Sequence, residues 1–209
     1  MSPLLIECPN LRIVPLANPE HAQECGFYLQ YIVDHYDKLS DYSIFVHGDP
    51  QNHNPHLLQQ LHWLIPLSRD TLKNIDFLHL NCQEYVERYS SNAGTFLGLL
   101  GFNSQAFTSD GNITSQQIQS GMRYFASECC AQFIVSSKAI RTYPLEFWQL
   151  ALKLTLDNKS FCIVWEYIWH AVFLNVQKLP VNLTLDRLYQ KNNPSFSSRC
   201  LNGRRSDIV

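Results

Sequence analysis

The sequence predicts an α/β fold, a three-layer sandwich in which helices flank a mostly parallel mixed sheet. Short β-rich runs alternate along the chain with longer segments whose apolar residues recur roughly every three to four positions. This alternation is typical of strand–helix–strand units, in which neighbouring strands run in parallel. The chain has 209 residues, of which 45% are hydrophobic, and this is enough for one buried core.

The first half of the chain contains the clearest amphipathic helix and the clearest strand. Residues 20–36 are predicted to be helical because Tyr28, Ile32 and Tyr36 recur on one face. Residues 42–47 are predicted to be a strand because they are rich in β-forming side chains and are followed by a glycine. The other elements predicted here are a strand at 11–16, a turn-rich loop at 48–55, a helix at 56–64 and a strand at 76–80.

The second half begins with a weaker signal. Residues 82–121 are rich in Ser, Asn, Gly and Gln and are predicted to form a loop with short helical pieces. The elements predicted after it are a strand at 130–136, a helical turn at 137–141, a helix at 144–156 and a last helix at 160–175. We therefore expect a single α/β domain over residues 1–176 and a C-terminal extension over 177–209, weakly ordered beyond about residue 191.

Composition limits the partners and the compartment. The net charge of -2 argues against a basic nucleic-acid-binding protein. No apolar run approaches the ~20 residues of a membrane span, and the first residues lack the basic region of a signal peptide. The 7 cysteines show no C-x-x-C spacing, so free reduced thiols and a cytoplasmic protein are expected, with a cysteine nucleophile as the alternative. In that compartment the glycosylation sequences at Asn112 and Asn182 have no consequence.

The first candidate site follows the clearest strand. His47, Gly48 and Asp49 come at its carboxyl end, where ligands bind in open α/β sheets, and His53 and His56 follow in the loop. Imidazole suits zinc or iron, and carboxylate suits magnesium or manganese. His47, Asp49 and His53 are therefore predicted to bind a divalent cation, Mn or Mg. The alternative is a simple turn with solvated histidines, because the spacing matches no established zinc motif.

The second candidate site lies on the last long helix. Glu166 and His170 are one turn apart and share a face. A carboxylate beside an imidazole raises the pKa of the ring and orients it, so the two would form a general acid–base pair. The alternative is a buried hydrogen bond that locks the helix to the sheet, because Trp165 and Trp169 repeat at the same spacing.

Several of these segments together resemble a family catalogued as domain of unknown function 3431. The resemblance covers roughly residues 11 to 175. The segments that carry it are Glu24, Tyr28–Leu29, Tyr31–Ile32, Tyr36, Leu39, Phe45–Pro50, His53, Cys129–Ser136, Ile140, Pro144, Phe147–Trp148 and Glu166–His170. The family name carries no established activity.

The layout of these segments looks like that of A-type glycosyltransferases, which bind a nucleotide-sugar on their sheet. That resemblance implies that Asp49 faces the nucleotide diphosphate or its metal, beside His47 and Gly48. It also implies that Glu166 is the catalytic base. The analogy concerns the fold, and function has to be argued from the site itself.

The expectation is therefore a glycosyltransferase-like enzyme that binds a small-molecule substrate, a nucleotide-sugar, at the carboxyl ends of the strands. One alternative is a non-catalytic interaction module on the same fold. The other is a metal-assisted hydrolase or isomerase that uses His47, Asp49 and His53, with His170 nearby. The first hypothesis requires the turn at 47–53 and Glu166 to meet in one cleft.

Overall fold

The computed structural model of the chain describes residues 24–48, 50–67, 72–82, 85–102, 123–128, 131–176 and 179–196. The strand predicted at 11–16 and the candidate ligand Asp49 lie outside these residues. The strands within them are β1 Tyr42–Phe45, β2 Phe77–His79, β3 Tyr85–Ser90, β4 Arg123–Glu128 and β5 Phe133–Ser136. The α-helices are α1 Glu24–His35, α2 Leu57–Leu64, α3 Ser91–Leu99, α4 Ser137–Ile140, α5 Leu145–Asp157, α6 Ser160–Leu174 and α7 Leu185–Asn192. Short 3-10 helices lie at Tyr36–Lys38, Pro50–Asn52, Ile65–Leu67 and Val181–Leu183.

The main sheet has three strands in the order β1–β5–β2, and β5 runs antiparallel to both neighbours. Ile44 and Leu78 both lie opposite Ile134 in register. β3 and β4 form a separate antiparallel pair. The prediction of a sandwich with a mostly parallel sheet is therefore wrong, since the described part of the chain is helix-rich with a small antiparallel sheet.

This error has a physical cause in the pairing of β5. α2 lies between β1 and β2 in sequence, and both strands run antiparallel to β5, so β1 and β2 do point the same way. They are not neighbours, because β5 follows much later in the chain, pairs with both and lies between them. Apolar periodicity predicts where a strand forms, but it does not say which strand it will pair with.

One face of the main sheet is covered by an aromatic core. Phe45, Phe77 and Phe133 project to this side from the three strands, and the rings of Phe77 and Phe133 stack with centroids 5.3 Å apart. α6 lies across this face, with the Trp169 ring centroid 4.9 Å from Phe133 and the Phe173 centroid 5.8 Å from Phe77. α1 and α5 contribute buried residues to the same core. α1 and α6 are thereby fixed relative to the sheet.

The opposite face is covered by α2 and α7. Leu78 and Ile134 project to this side, because successive residues of a strand alternate between the two faces. They pack in one cluster with Leu61 of α2 and Leu185 of α7. α7 belongs to the segment that was predicted to be a C-terminal extension, and its first residue is part of this second core.

Two of the described helices, α3 and α4, begin after a serine that caps them. Ser90 caps α3 by accepting a hydrogen bond from the backbone N–H of Ala93 at 3.1 Å, and Ser136 caps α4 through Ala139 at 3.0 Å. α6 ends at Asn175, which has a left-handed conformation with φ 55°, as is common just after a helix. Among the described residues, no helix combines the length and the apolar character that crossing a membrane requires.

A disulfide joins Cys25 of α1 to Cys162 of α6, with Cα atoms 5.6 Å apart and a separation of 137 residues. Cys82, which follows β2, is disulfide-bonded as well. All three cysteines are buried, and the expectation of free reduced thiols is wrong for them. The prediction of a cytoplasmic location was based on free reduced thiols. It stays a prediction, but the bonded cysteines no longer support it.

Candidate functional site

Three polar side chains meet at one edge of the main sheet. β1 and β2 point the same way, so both end at this edge, and β5 begins there. His47 lies two residues after β1, Asn81 lies two residues after β2, and Gln132 directly precedes β5. The structure therefore places His47 at the carboxyl end of a strand, although the sheet is antiparallel.

Gln132 links the three chain segments at this edge. Its side chain is fully buried. Oε1 accepts a hydrogen bond from the backbone N–H of His47 at 3.1 Å. Nε2 donates to Oδ1 of Asn81 at 2.6 Å and to the carbonyl oxygen of Pro50 at 3.2 Å. Because a buried amide with its bonds formed specifies one geometry, Gln132 fixes the backbone from which His47 projects.

His47 faces an acid from another element. Nε2 of His47 lies 3.8 Å from Oε1 of Glu24, in the first turn of α1. This nitrogen is buried and has no hydrogen-bond partner among the described residues, whereas 16% of the His47 side chain and 36% of the Glu24 side chain are exposed. The exposed surface of the His47 side chain therefore lies on atoms other than Nε2. A small approach of the two side chains would convert the contact into a charge-assisted hydrogen bond.

His53 lies beside His47. The two rings meet edge to face with centroids 4.6 Å apart, and Nδ1 of His53 is also buried without a partner. The backbone N–H of Cys82 donates to the carbonyl oxygen of His53 at 3.3 Å, which holds this loop against the end of β2. Gly48 is exposed, and a side chain at its position would meet none of the described residues within 4 Å. The structure thus brings His47 and His53 together beside an exposed glycine.

Burial sets the protonation state of His47. It lowers the pKa of the imidazole below the ordinary value of 6.5; the charge of Glu24 acts in the opposite direction, and His53 adds to the lowering. The ring is therefore neutral near neutral pH, which is the form that accepts a proton. Burial, and after it the charge of Glu24, raise the pKa of the Tyr28 hydroxyl one turn further along α1, so this group stays protonated.

The predicted acid–base pair lies on α6. His170 is buried and Glu166 is partly buried, and both residues have interaction partners. α6 contacts α1 through Trp169, whose ring centroid is 6.2 Å from that of Tyr28. The two candidate sites are therefore carried by elements that pack on one another. The role of Glu166 as a catalytic base stays a prediction.

Of the metal ligands predicted at His47, Asp49 and His53, the structure describes His47 and His53, and Asp49 lies outside the described residues. Within the described residues no group of three or more His, Cys, Asp or Glu side chains is placed to hold a metal ion. His56, the other histidine of this loop, packs edge to face against Phe196 with centroids 5.1 Å apart. The divalent cation at His47, Asp49 and His53 therefore stays a prediction.

Sequence reasoning missed the residues that position His47. Glu24, Asn81 and Gln132 come from segments far apart in the chain, and no spacing rule connects them to His47. Gln132 gave a weak signal, because it is a polar residue within an apolar, strand-like run and buried amides need partners. Glu24 was among the residues of the family resemblance, without an assigned role.

Comparison with known proteins identifies a family and nothing finer. A family described as "Protein of unknown function (DUF3431)" matches residues 13–184. The chain is a DUF3431 protein. The family resemblance read from the sequence is therefore confirmed. No curated protein and no solved structure matches this DUF3431 chain, so its function has to be argued from the geometry at the sheet edge.

Proposed function

We propose that this DUF3431 chain is an enzyme in which His47 acts as a general base on a small polar substrate bound at the edge of the main sheet. The observation that supports this proposal is the environment of the His47 imidazole ring. Nε2 of His47 is buried and faces Glu24, while 16% of the side chain as a whole is exposed. An imidazole that a carboxylate orients at one nitrogen can accept a proton at the other, which suits general-base catalysis.

In this proposal Nδ1 of His47 accepts the proton from a hydroxyl group of the substrate or from water. Nδ1 is not among the buried nitrogens that lack a partner in the described part of the chain. As the ring becomes positive, its Nε2–H donates to Glu24, whose charge stabilises the imidazolium. The separation of 3.8 Å suits the free protein, because catalytic hydrogen bonds are often long until the substrate binds.

His53 and Gln132 support this role in different ways. His53 disfavours the charged form of His47, so the base stays neutral before the substrate binds. Gln132 holds the backbone of His47 through a hydrogen bond of 3.1 Å, so the ring is presented from a fixed position. Positioning of this kind is a main source of catalytic rate.

Sugar transfer from a nucleotide-sugar is one reaction that this base would serve, since the acceptor hydroxyl loses a proton. Binding of a nucleotide-sugar near Asp49, with Glu166 as the base, stays a prediction. The main sheet supports nucleotide-sugar binding less strongly than a parallel sheet would, because only β1 and β2 end at the site and β5 begins between them. Nucleotide-sugars are therefore the first substrates to test, and proton abstraction by His47 is the proposal itself.

A thermal-shift screen of the full chain tests the proposal. The panel contains nucleotide-sugars, sugar phosphates, and Mn, Mg and Zn salts alone, because a ligand that binds the folded state raises the melting temperature. Every ligand that shifts the wild type is then assayed for turnover. We use His47→Asn to remove the base, and His62→Asn as the matched control because His62 is exposed on α2.

We expect turnover to fall by about 10²- to 10⁴-fold in His47→Asn and to be retained in His62→Asn. Full turnover in His47→Asn would overturn the assignment of the base. A shift caused by metal salts alone, and lost in His47→Asn, would support the metal-assisted hypothesis instead. A panel without any shift or turnover would favour an interaction module.

A further inference from the structure

An exposed asparagine lies on the segment that crosses from β4 to β2. Residues 179–184, here called the crossing segment, are anchored at both ends. The backbone N–H of Leu179 donates to a carbonyl oxygen of β4 at 2.8 Å, and Thr184 pairs with β2. Both anchor residues are buried. Between them the 3-10 helix Val181–Leu183 leaves Asn182 exposed.

Residues 182–184 read Asn-Leu-Thr, which is an acceptor sequence for N-linked glycosylation. Free reduced thiols, as expected from the sequence, would place the chain in a reducing compartment, where this acceptor sequence has no consequence. The disulfide Cys25–Cys162 and the disulfide bond of Cys82 contradict that expectation. Disulfides form and persist in oxidising compartments, which include the lumen of the endoplasmic reticulum. The bonded cysteines thus point to a compartment in which this acceptor sequence can be modified.

We propose that the chain folds in an oxidising compartment and that Asn182 carries an N-linked oligosaccharide. The donor is an oligosaccharide joined to a lipid diphosphate, and the host transferase supplies the catalysis. Nδ2 of Asn182 forms a bond to the anomeric carbon of the oligosaccharide, while the bond from that carbon to the diphosphate oxygen breaks. The lipid diphosphate leaves, and the amide nitrogen loses one proton. This proposal does not depend on the role of His47.

The burial pattern of the crossing segment also determines when the modification takes place. Asn182 is exposed, so an oligosaccharide on it extends into solvent and displaces no part of the core. Thr184 is only 2% exposed, so the hydroxyl end of the acceptor sequence is not accessible in the folded chain. Attachment therefore precedes the docking of the crossing segment onto β2.

The first test uses the protein from the cells that make it. The isolated chain is treated with a peptide-N-glycosidase in ¹⁸O water and mapped by mass spectrometry. We expect loss of mass from the intact chain, labelled aspartate at position 182, and a cross-linked Cys25–Cys162 peptide before reduction. Recovery of unmodified Asn182 in the whole population would overturn the site, and free thiols at both cysteines would overturn the compartment.

The second test compares variants of the full chain expressed in the secretory pathway of cultured cells. Asn182→Gln changes only an exposed side chain and should remove one oligosaccharide. Thr184→Ser preserves the acceptor sequence and should retain it, and Asn112→Gln should retain the oligosaccharide at 182. Unchanged mass of the oligosaccharides in Asn182→Gln contradicts the proposal. Addition of a transferase to the folded, unmodified chain should leave Asn182 bare, and efficient modification there would refute the order of events.

Discussion

Two networks of buried amides lie at the end of β2, and they differ in the group on which they end. The first, the His47 network, consists of Gln132, Asn81 and His47. The second, the Asp186 network, consists of Asn54, Gln60 and Asp186. The His47 network ends on an imidazole with exposed surface. The Asp186 network ends on a carboxyl group that is fully buried between α2 and α7.

The difference in the exposure of the terminal group indicates which network supports the stability of the fold and which one supports catalysis. In the Asp186 network, Asn54 donates to Oε1 of Gln60 at 2.8 Å, and Gln60 donates to Oδ1 of Asp186 at 3.0 Å. All three side chains are fully buried, so a lost partner leaves a polar group without solvent, which is costly. In the His47 network the amides are equally buried, but the terminal group reaches solvent. We therefore expect changes in the Asp186 network to alter folding, and changes at the end of the His47 network to alter turnover.

Gln60→Leu should give the largest loss of stability. It removes the donor to Oδ1 of Asp186, whose Oδ2 already lacks a partner among the described residues, and so takes from a buried carboxyl group the side-chain hydrogen bond that the structure describes. We expect the free energy of unfolding to fall by about 3 kcal/mol, measured by urea denaturation. Gln59→Leu is the matched control, because Gln59 is exposed and its side chain donates to the hydroxyl of Tyr189 at 3.2 Å. A loss equal to that of the control would mean that Gln60 does not support Asp186.

Gln132→Leu should alter both stability and turnover. It leaves Oδ1 of Asn81 and the backbone N–H of His47 without their partner, so the free energy of unfolding should fall by about 2 kcal/mol. The His47 turn should also lose its fixed position, so the catalytic rate should fall as well. Gln149→Leu, on an exposed position of α5, controls for the added apolar surface. Destabilisation with undiminished turnover would show that Gln132 serves the fold alone.

The sequence predicted the features that depend on neighbouring residues. β1, α2 and α6 all begin and end close to their predicted bounds, because apolar spacing and capping residues act within a few positions. The pairing of β5 between β1 and β2 was not predicted, and neither was the Cys25–Cys162 disulfide. Both depend on contacts between segments far apart in the chain, for which periodicity carries no signal.

The residues of the candidate site likewise include one that a local pattern predicted and others that depend on distant contacts. His47 could be singled out because a glycine follows it at the end of a strand, which is a local pattern. Its acid could not, because Glu24 approaches His47 only after α1 packs on the aromatic core. Asn81 and Gln132 join the site through the strand order, which was predicted wrongly. His47 could thus be predicted from the sequence, whereas its partners could be identified only once the fold was known.

Glu24→Gln tests the contribution of Glu24 to catalysis while His47, the proposed base, is left in place. The charge of Glu24 raises the pKa of His47, so its removal should lower that pKa further, as followed by NMR titration of the ring. Turnover should fall by about tenfold, which corresponds to about 1.4 kcal/mol and lies near the lower end of the range for one hydrogen bond to a charged group. Asp34→Asn is the matched control, because Asp34 is an exposed acid on the same helix. An unchanged titration of His47 in Glu24→Gln would contradict the contact.

The smallest expected effect is a pH dependence of stability that originates at His47. The pKa of its ring in the folded chain lies below 6.5, the ordinary value that applies when the chain is unfolded. Between these two pKa values the unfolded chain binds more protons than the folded chain, so the free energy of unfolding rises with pH. The contribution is complete above pH 6.5 and is lost as the pH falls through the folded-state pKa.

The comparison of wild type with His47→Asn isolates this contribution, because the other titrating groups are common to both. The difference in the free energy of unfolding, measured by urea denaturation at a series of pH values, should be constant above pH 6.5 and decrease below it. In Glu24→Gln the decrease should extend to lower pH, because the folded-state pKa of His47 is lower there. A difference that increases on acidification would mean that His47 is a charged partner of Glu24 in the folded chain. It would then be unsuited to accept a proton.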